Sequence, residues 1–561
     1  MSTKLTKALP FLLCLCSIVA CTGKNSIPAS DIISGIHLKR GDIISCGPPE
    51  KEFGEVKFET SCSKEVQKEM DLAMALLHSF EYDESEKAYA KVIDTAPGCA
   101  MAYWGVAMSN YHPLWAPPNK EELEKGAKSI AVAQSITDKS KRESEYIDAI
   151  ASFYKDWNTT DHRTRSISYS KAMEKLYADY PDDKEAAIFY ALSLTAAADP
   201  TDKTYQNQKK AGAILNELYA KYPNHPGIVH YIIHSFDSPE LASLALTAAR
   251  KYAQVAPSSA HALHMPSHIF IRLGLWDESI NSNIGSVSSA QCYAQSAGIK
   301  GHWDEELHGL DYLMYGYLQK GDNVQAKKQL DYFTSINKVS PEDFKVAYAY
   351  AAIPSRYVLE NKSWKEAAGL SLHQPEFPWA DYPWEIAIYH FARLLGNVNT
   401  NQLDVARKEL NTMDSLHTML VNRKDAYKAN QVQIQFNSAK AWILFKEGKK
   451  EEALQLMNLA ADMEDKTEKH AVTPGEVLPA RELLGDMLLQ MNQPAMALEA
   501  YEADLKKRPN RFNALYGAAR AAEGAKDLAK AGSYYKQLVT VTGSVNSNRP
   551  ELKEAKAKSS M

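Results

Sequence analysis

The apolar positions of residues 120–150, 164–199, 343–368 and 385–418 recur at three- and four-residue steps, the period of helices with one buried face. Residues 436–465 carry the same period on both sides of Gly448, which predicts a helical hairpin. Near the C-terminus the pattern becomes a strict repeat. Gly485, Ala497 and Tyr501 are answered by Ala519, Ala531 and Tyr535, each 34 residues on, with Pro509 closing the first unit and Leu538 in the second. Small residues belong where the two helices of a hairpin cross, and the aromatic fills the space toward the next hairpin. Weaker versions of this grammar occur at Ser85, Tyr89, Val92 and Pro97, at Ala245, Ala249 and Pro257, and at Ala326, Leu330 and Phe333.

A 34-residue period of paired helices is the tetratricopeptide period. The chain is therefore expected to be all-α, a tetratricopeptide-repeat α-solenoid with a short irregular or β N-terminal segment after a signal peptide. The divisions read from sequence are a signal peptide at 1–20, a tether and short N-terminal segment at 21–63, a helical-repeat region with a histidine cluster at 64–400, regular repeats at 401–540 and a polar tail at 541–561. Such a solenoid lines a concave groove with one helix of each hairpin, a surface suited to a peptide, a protein or a small-molecule ligand.

The N-terminal residues "MSTKLTKALPFLLCLCSIVAC" combine Lys4 and Lys7 with a short apolar run, the layout of a secretion leader. Its "IVAC" junction resembles a lipobox, which makes Cys21 a candidate lipidation site and predicts contact with a membrane through an N-terminal lipid only. Secretion implies an oxidising compartment. Cys62 precedes the first predicted helix and Cys99 follows the first hairpin, so a Cys62–Cys99 disulfide fits, beside a Cys46–Cys62 bridge or free thiols. The formal charge of −5 supplies no basic footprint, which argues for no nucleic-acid partner.

Chemistry concentrates in the histidines. His230 and His234 lie four apart, as do His264 and His268, and the two pairs are separated by 34 residues. Imidazoles at i and i+4 form a two-ligand clip for a transition metal, and ligation by imidazole without thiolate suits copper, zinc or iron. In the repeat register His308, His78 and His112 fall on the same helix face and join the candidate ligands. Asp237, Asp311, Glu305 and Glu306 are candidates to complete or orient the shell. Pro266 inside "HMPSH" disfavours helical geometry at Met265 and threatens to swing His264 away from His268. Neither "HYIIH" nor "HMPSH" has the glutamate of a zincin protease, and nucleophile triads, Walker loops and dinucleotide loops are missing from the sequence. No catalytic residue is assigned. Trp104 and Trp115, with Tyr103 and Tyr111, read either as an aromatic wall beside a site or as early core.

The stretches "GEVKFETSC", "AMAYWGVAMSNYHPLW", "HPGIVHYIIHSFDSP", "HALHMPSHIFIRLGLWDES" and "ELHGLDYLMYGYLQKGD" resemble a family of large secreted bacterial tetratricopeptide-repeat proteins with paired HxxxH motifs. The resemblance covers about residues 54–400. Its pattern corresponds here to Cys62, His78, Cys99, Trp104, His112, His230, His234, His264, His268 and His308, with Asp311 where some relatives carry histidine. It implies a secreted repeat protein and supplies no reaction. The expectation from sequence is thus a lipid-anchored binding scaffold on the periplasmic or extracellular face of a bacterial cell envelope. The alternative is a histidine-ligated metal protein or oxidoreductase with its site in the groove.

Overall fold

The computed structural model describes Met1, residues 27–47 and residues 52–559. The leader at 1–20 (Met1 apart) and Cys21 lie outside the described residues. Among those described, the chain is an all-α solenoid, and its strand content is one parallel pair, His302–Trp303 with Val339–Ser340. The N-terminal segment holds one short helix, Ser30–Ser34, and residues 37–47 form neither helix nor strand. No described helix is long and apolar enough to cross a membrane.

Consecutive helices pack against one another across short turns, beginning with Gln67–His78 on Tyr82–Thr95. Their starts are set by side-chain caps. Asn119 and Ser140 each form a reciprocal cap with a glutamate three residues on, and Asp161, Asp183, Asp425 and Asp527 cap later helices. The small-residue rule of the repeat has a steric cause. A Cβ at Gly105 would stand 2.2 Å from the Tyr89 ring, and one at Gly517 2.3 Å from the Tyr501 ring. The tyrosine occupies the space that any larger residue would need.

The apolar interior forms two main clusters, one from Ile36 to Phe270 and one from Ile280 to Ala555, with Ile271, Trp276, Tyr312 and Tyr315 at their junction. Two further features close the solenoid on itself. The loop after helix Lys450–Asp465 reaches back across it: Gly475 and Glu476 carbonyls accept from Arg356, and the Val472 carbonyl accepts from Tyr312. The Trp276 indole donates to the Asn510 carbonyl at 2.9 Å, joining segments far apart in sequence.

Disulfides link Cys62 to Cys99 (Cα–Cα 5.0 Å) and Cys46 to Cys292 (Cα–Cα 5.9 Å). Cys46 therefore does not pair with Cys62. The irregular N-terminal segment is instead stitched to Glu84 and Glu86 by its backbone and tied to the helix Trp276–Ser296. Residues 541–561, expected as a polar tail, include the helix Pro550–Lys558. Its Leu552 and Ala555 are buried against the last hairpin, two apolar positions three apart that the lysine-rich composition hides.

Gly517→Ala is expected to destabilise the protein by roughly 1–3 kcal/mol, because the new methyl displaces Tyr501 from a packed interior. A lower urea midpoint with an unchanged m-value checks it.

Candidate metal centre

The helix Pro226–Phe236 starts with Pro226 at its first turn, after His225 in extended conformation. It can lie close to Gln67–His78 because residue 227 is glycine; a Cβ there would stand 2.4 Å from His78 Nδ1. This approach sets the first site. His230 Nδ1–H donates to the His78 backbone carbonyl at 2.7 Å. A carbonyl only accepts, so the proton of a neutral His230 sits on Nδ1 and its Nε2 presents a lone pair. That Nε2 lies 2.9 Å from His234 Nε2 and 3.2 Å from His261 Nε2. Three imidazole nitrogens converge, where a single lone pair accepts one hydrogen bond.

His261 belongs to the short helix Ala260–His264, capped by Ser259. The next helix, Pro266–Arg272, follows at once. Contrary to the expectation from Pro266, Met265 keeps right-handed helical angles (φ −51°, ψ −36°), so His264 and His268 remain one turn apart. Their Nε2 atoms are 3.0 Å apart. His264 Nδ1–H donates to Asn283 Oδ1 at 2.7 Å, and His268 Nδ1–H to Asp237 Oδ2 at 3.0 Å. His308, on the helix Asp304–Gln319, packs its ring 4.2 Å from that of His264.

The four paired histidines thus divide between two triads, His230–His234–His261 and His264–His268–His308, each with its ligand atoms within 4.8 Å of one another. Clustered imidazoles of this kind can coordinate a transition metal: nitrogens about 2.0–2.1 Å from a metal lie roughly 2.9–3.4 Å from each other. The first triad takes its pair from one helix and the second from two abutting helices, and each adds one ring from a later helix. His261 escapes the sequence reading because the 34-residue register puts Gly227 opposite it, although its position three before His264 was a usable signal.

The other candidates go elsewhere. His78 Nε2 and His225 Nε2 each lie 2.9 Å from Glu185, and His78 Nδ1 is 3.0 Å from the Tyr231 hydroxyl. The carboxylate accepts from both rings, so this third group closes by hydrogen bonding. Burial works against ionising Glu185, but His225 and His78 outweigh it and hold its carboxyl well below the usual range. His112 stands apart, 3.4 Å from Glu122 and edge-on to Tyr82. Of the four carboxylates considered, only Asp237 orients a triad histidine. Asp311 faces Arg356, Glu305 faces Lys345, and Glu306 accepts from His302, Gln291 and Tyr332. Burial also opposes ionisation of Asp237, and Lys469, Arg272 and His268 together overcome it. Asn283, Glu185 and Tyr312 are site residues that the sequence did not single out.

The two triads differ in access. His234 and His261 are partly exposed, and each faces its own cleft. The His234 cleft, about 410 Å³, includes Asp237, Arg272 and Lys469. The His261 cleft, about 500 Å³, includes His112, Glu305 and Lys345. Trp115 borders both, and its ring lies 5.2 Å from His234 and 5.8 Å from His261. Trp104, by contrast, is fully buried among Phe58, Tyr146 and Phe189, so the two tryptophans divide the two roles considered for them. In the second triad all three histidines are buried.

A tetratricopeptide repeat family description matches residues 483–544. No curated protein matches the chain. Among solved structures, the chain is similar to a monomeric mutant of IFIT1 with m7Gppp-AAAA (10% identity, 86% of this chain and 98% of that one, TM-score 0.34). It is also similar to the tetratricopeptide domain of P58(IPK) (14%, 67% and 97%, 0.20) and to the APC/C hetero-tetramer Cut9-Hcn1 (12%, 88% and 97%, 0.25).

Three expectations are corrected by these matches. The resemblance to a secreted bacterial family is corrected to a tetratricopeptide-like α-solenoid, the description that matches residues 483–544; the similar structures include P58(IPK), Cut9-Hcn1 and Naa15/Naa10 bound to HypK. The placement in a bacterial envelope with a lipid anchor is withdrawn with it; the similar structures include P58(IPK), Naa15/Naa10 with HypK and Cut9-Hcn1. The exclusion of nucleic acid is also withdrawn: it rested on net charge alone, and IFIT1 appears with m7Gppp-AAAA.

Burial pushes the His261 imidazole down to about 4 and holds His230, His234, His264 and His308 well below the ordinary histidine value. The neutral ring is the ligating form, so protons compete only as the pH falls toward about 4, well under the ordinary value of about 6.5. Metal content is expected to hold between about pH 7 and 5 and to fall toward 4, read by elemental analysis after dialysis. In metal-stripped protein the unfolded chain takes up protons below about 6.5 that the native state refuses, so stability should fall as pH drops through that window.

Proposed function

We propose that this solenoid is a transition-metal protein whose working site is the His230–His234–His261 triad, with a ligand-binding position reached from the flanking clefts. The observation that carries this reading is the tautomer of His230. Its Nδ1–H is committed to the His78 carbonyl, and its Nε2 lone pair faces two further ring nitrogens at 2.9 and 3.2 Å. Without a cation, one lone pair would meet two nitrogens in a buried place; with one, all three become ligands. Three neutral imidazoles leave a fourth position open, as in sites where a metal binds water or substrate. Partly exposed His234 and His261 give that position an opening.

The ligand set has no thiolate, which favours zinc, copper or iron in the divalent state. Phe80 and Tyr252 pack on His230 (centroids 4.4 and 5.0 Å) and fix its ring from two sides. The residues of the two clefts supply a binding role: aromatic Trp115 between them, Lys469 and Arg272 on one side, Glu305 and Lys345 on the other. The solenoid serves as a scaffold that holds these groups around the metal. A small molecule or peptide end able to add one donor atom is the kind of ligand this arrangement accepts.

Untagged protein purified without added metal is expected to contain zinc, copper or iron. His230→Ala should reduce occupancy of the exposed site by at least about tenfold, the scale of losing one ligand or its orienting partner. Wild-type protein that holds no metal after exposure to each of the three ions would overturn the reading.

A further inference from the structure

We propose that His264, His268 and His308 form a second and closed metal site, with the Tyr312 hydroxyl as fourth donor, and that this site fastens the two halves of the solenoid together. It rests on its own geometry and does not require the first site to be occupied.

The proton positions are determined from both sides. Asn283 Nδ2–H donates to the Ser279 carbonyl at 2.8 Å, which turns Asn283 Oδ1 toward His264 as an acceptor. The proton of His264 is therefore on Nδ1. His268 Nδ1–H is held by Asp237, whose other oxygen accepts from Arg272 Nε–H at 2.9 Å. Both Nε2 atoms then carry lone pairs, and they face each other at 3.0 Å. Neither can donate to the other. The Tyr312 hydroxyl donates to the Val472 carbonyl and turns its oxygen toward His268 Nε2, 3.2 Å from each. A third lone pair joins the same space, and His308 brings a fourth donor atom. Four inward donors, each held by hydrogen bonding or close packing, describe a metal ligand set with its outer partners in place. A buried cluster of mutually repelling acceptors is otherwise costly.

Burial distinguishes this site from the first. His264, His268, His308 and Tyr312 are 0%, 4%, 9% and 0% exposed, and none of the three histidines borders a described cleft. With four protein donors and no open position, the arrangement is that of a structural site. Its place in the fold supports the same role. His264 and His268 stand where the first apolar cluster ends, His308 and Tyr312 belong to the helix Asp304–Gln319 that gives Leu307, Leu310 and Leu313 to the second, and Val472 comes from the loop that folds back across the solenoid.

The test uses untagged full-length protein loaded with cobalt(II), followed by dialysis against a chelator. Wild type should start near about two ions per chain and retain about one. His234→Ala should lose the exchangeable ion and keep the resistant one; His264→Ala should do the reverse and melt at lower temperature. Should His264→Ala fail to fold, Tyr312→Phe serves: it removes one oxygen, alters the visible spectrum of the resistant cobalt alone, and speeds its loss to chelator. A resistant ion that survives His264→Ala, or whose spectrum and release ignore Tyr312→Phe, overturns the proposal. So does wild type that gives up every ion to the chelator. If only the exchangeable ion is missing from wild type, the function proposed for the first triad fails while this site stands.

Discussion

The outward nitrogen of each orienting histidine is already spent. His230, His264 and His268 give their Nδ1 protons to a backbone carbonyl, an asparagine oxygen and an aspartate, and these three bonds decide everything that follows in the interior. Had any of them been made to a donor, the tautomer would reverse and the converging nitrogens would hydrogen-bond in the ordinary way. The partners come from different layers: His78 from the helix Gln67–His78, Asn283 from the helix Trp276–Ser296, Asp237 from the end of the His230 helix. The triads are therefore properties of the stacked repeats as a whole, and a hairpin taken alone carries only two of the histidines without their orientation.

The architecture was legible in the sequence because helix packing leaves a local mark. Gly517 and Tyr501 must be small and aromatic for reasons that act within one hairpin and its neighbour, and such constraints recur at the repeat period. The site was legible only in part. The paired spacing picked out His230, His234, His264 and His268, but repeat register suggested one cluster where the chain brings them into two triads. A register relates equivalent positions, whereas each triad is finished by a non-equivalent residue, His261 or His308. His78 fitted the stripe and contributes a carbonyl oxygen at the place where a ring nitrogen was expected. His112 fitted it too, but its backbone takes a left-handed turn (φ 43°) at the end of its helix, which carries it away to Glu122.

Buried charge is the second organising feature, and composition gave no sign of it. Arg511 is fully buried between Glu360 and Glu482, and Arg508 joins Glu464, Glu476 and Asp504. These ions knit the regular C-terminal repeats to the helix Phe344–Glu360 and to the returning loop. Such networks add little net stability compared with apolar packing, but they penalise any slipped arrangement that leaves one member unpaired. Here they fix the loop that presents Val472 to Tyr312 and Lys469 to Asp237.

The Cys46–Cys292 bond has a topological meaning. It closes a covalent ring across a sequence separation of 246 residues, and both HxxxH clips and His261 lie inside that ring. Tension applied to the two ends of the chain passes from Cys46 straight to Cys292 and bypasses everything between them. Of the six triad histidines only His308 sits on the load-bearing path. The exposed triad is mechanically insulated, while the buried one is connected to the load through a single histidine.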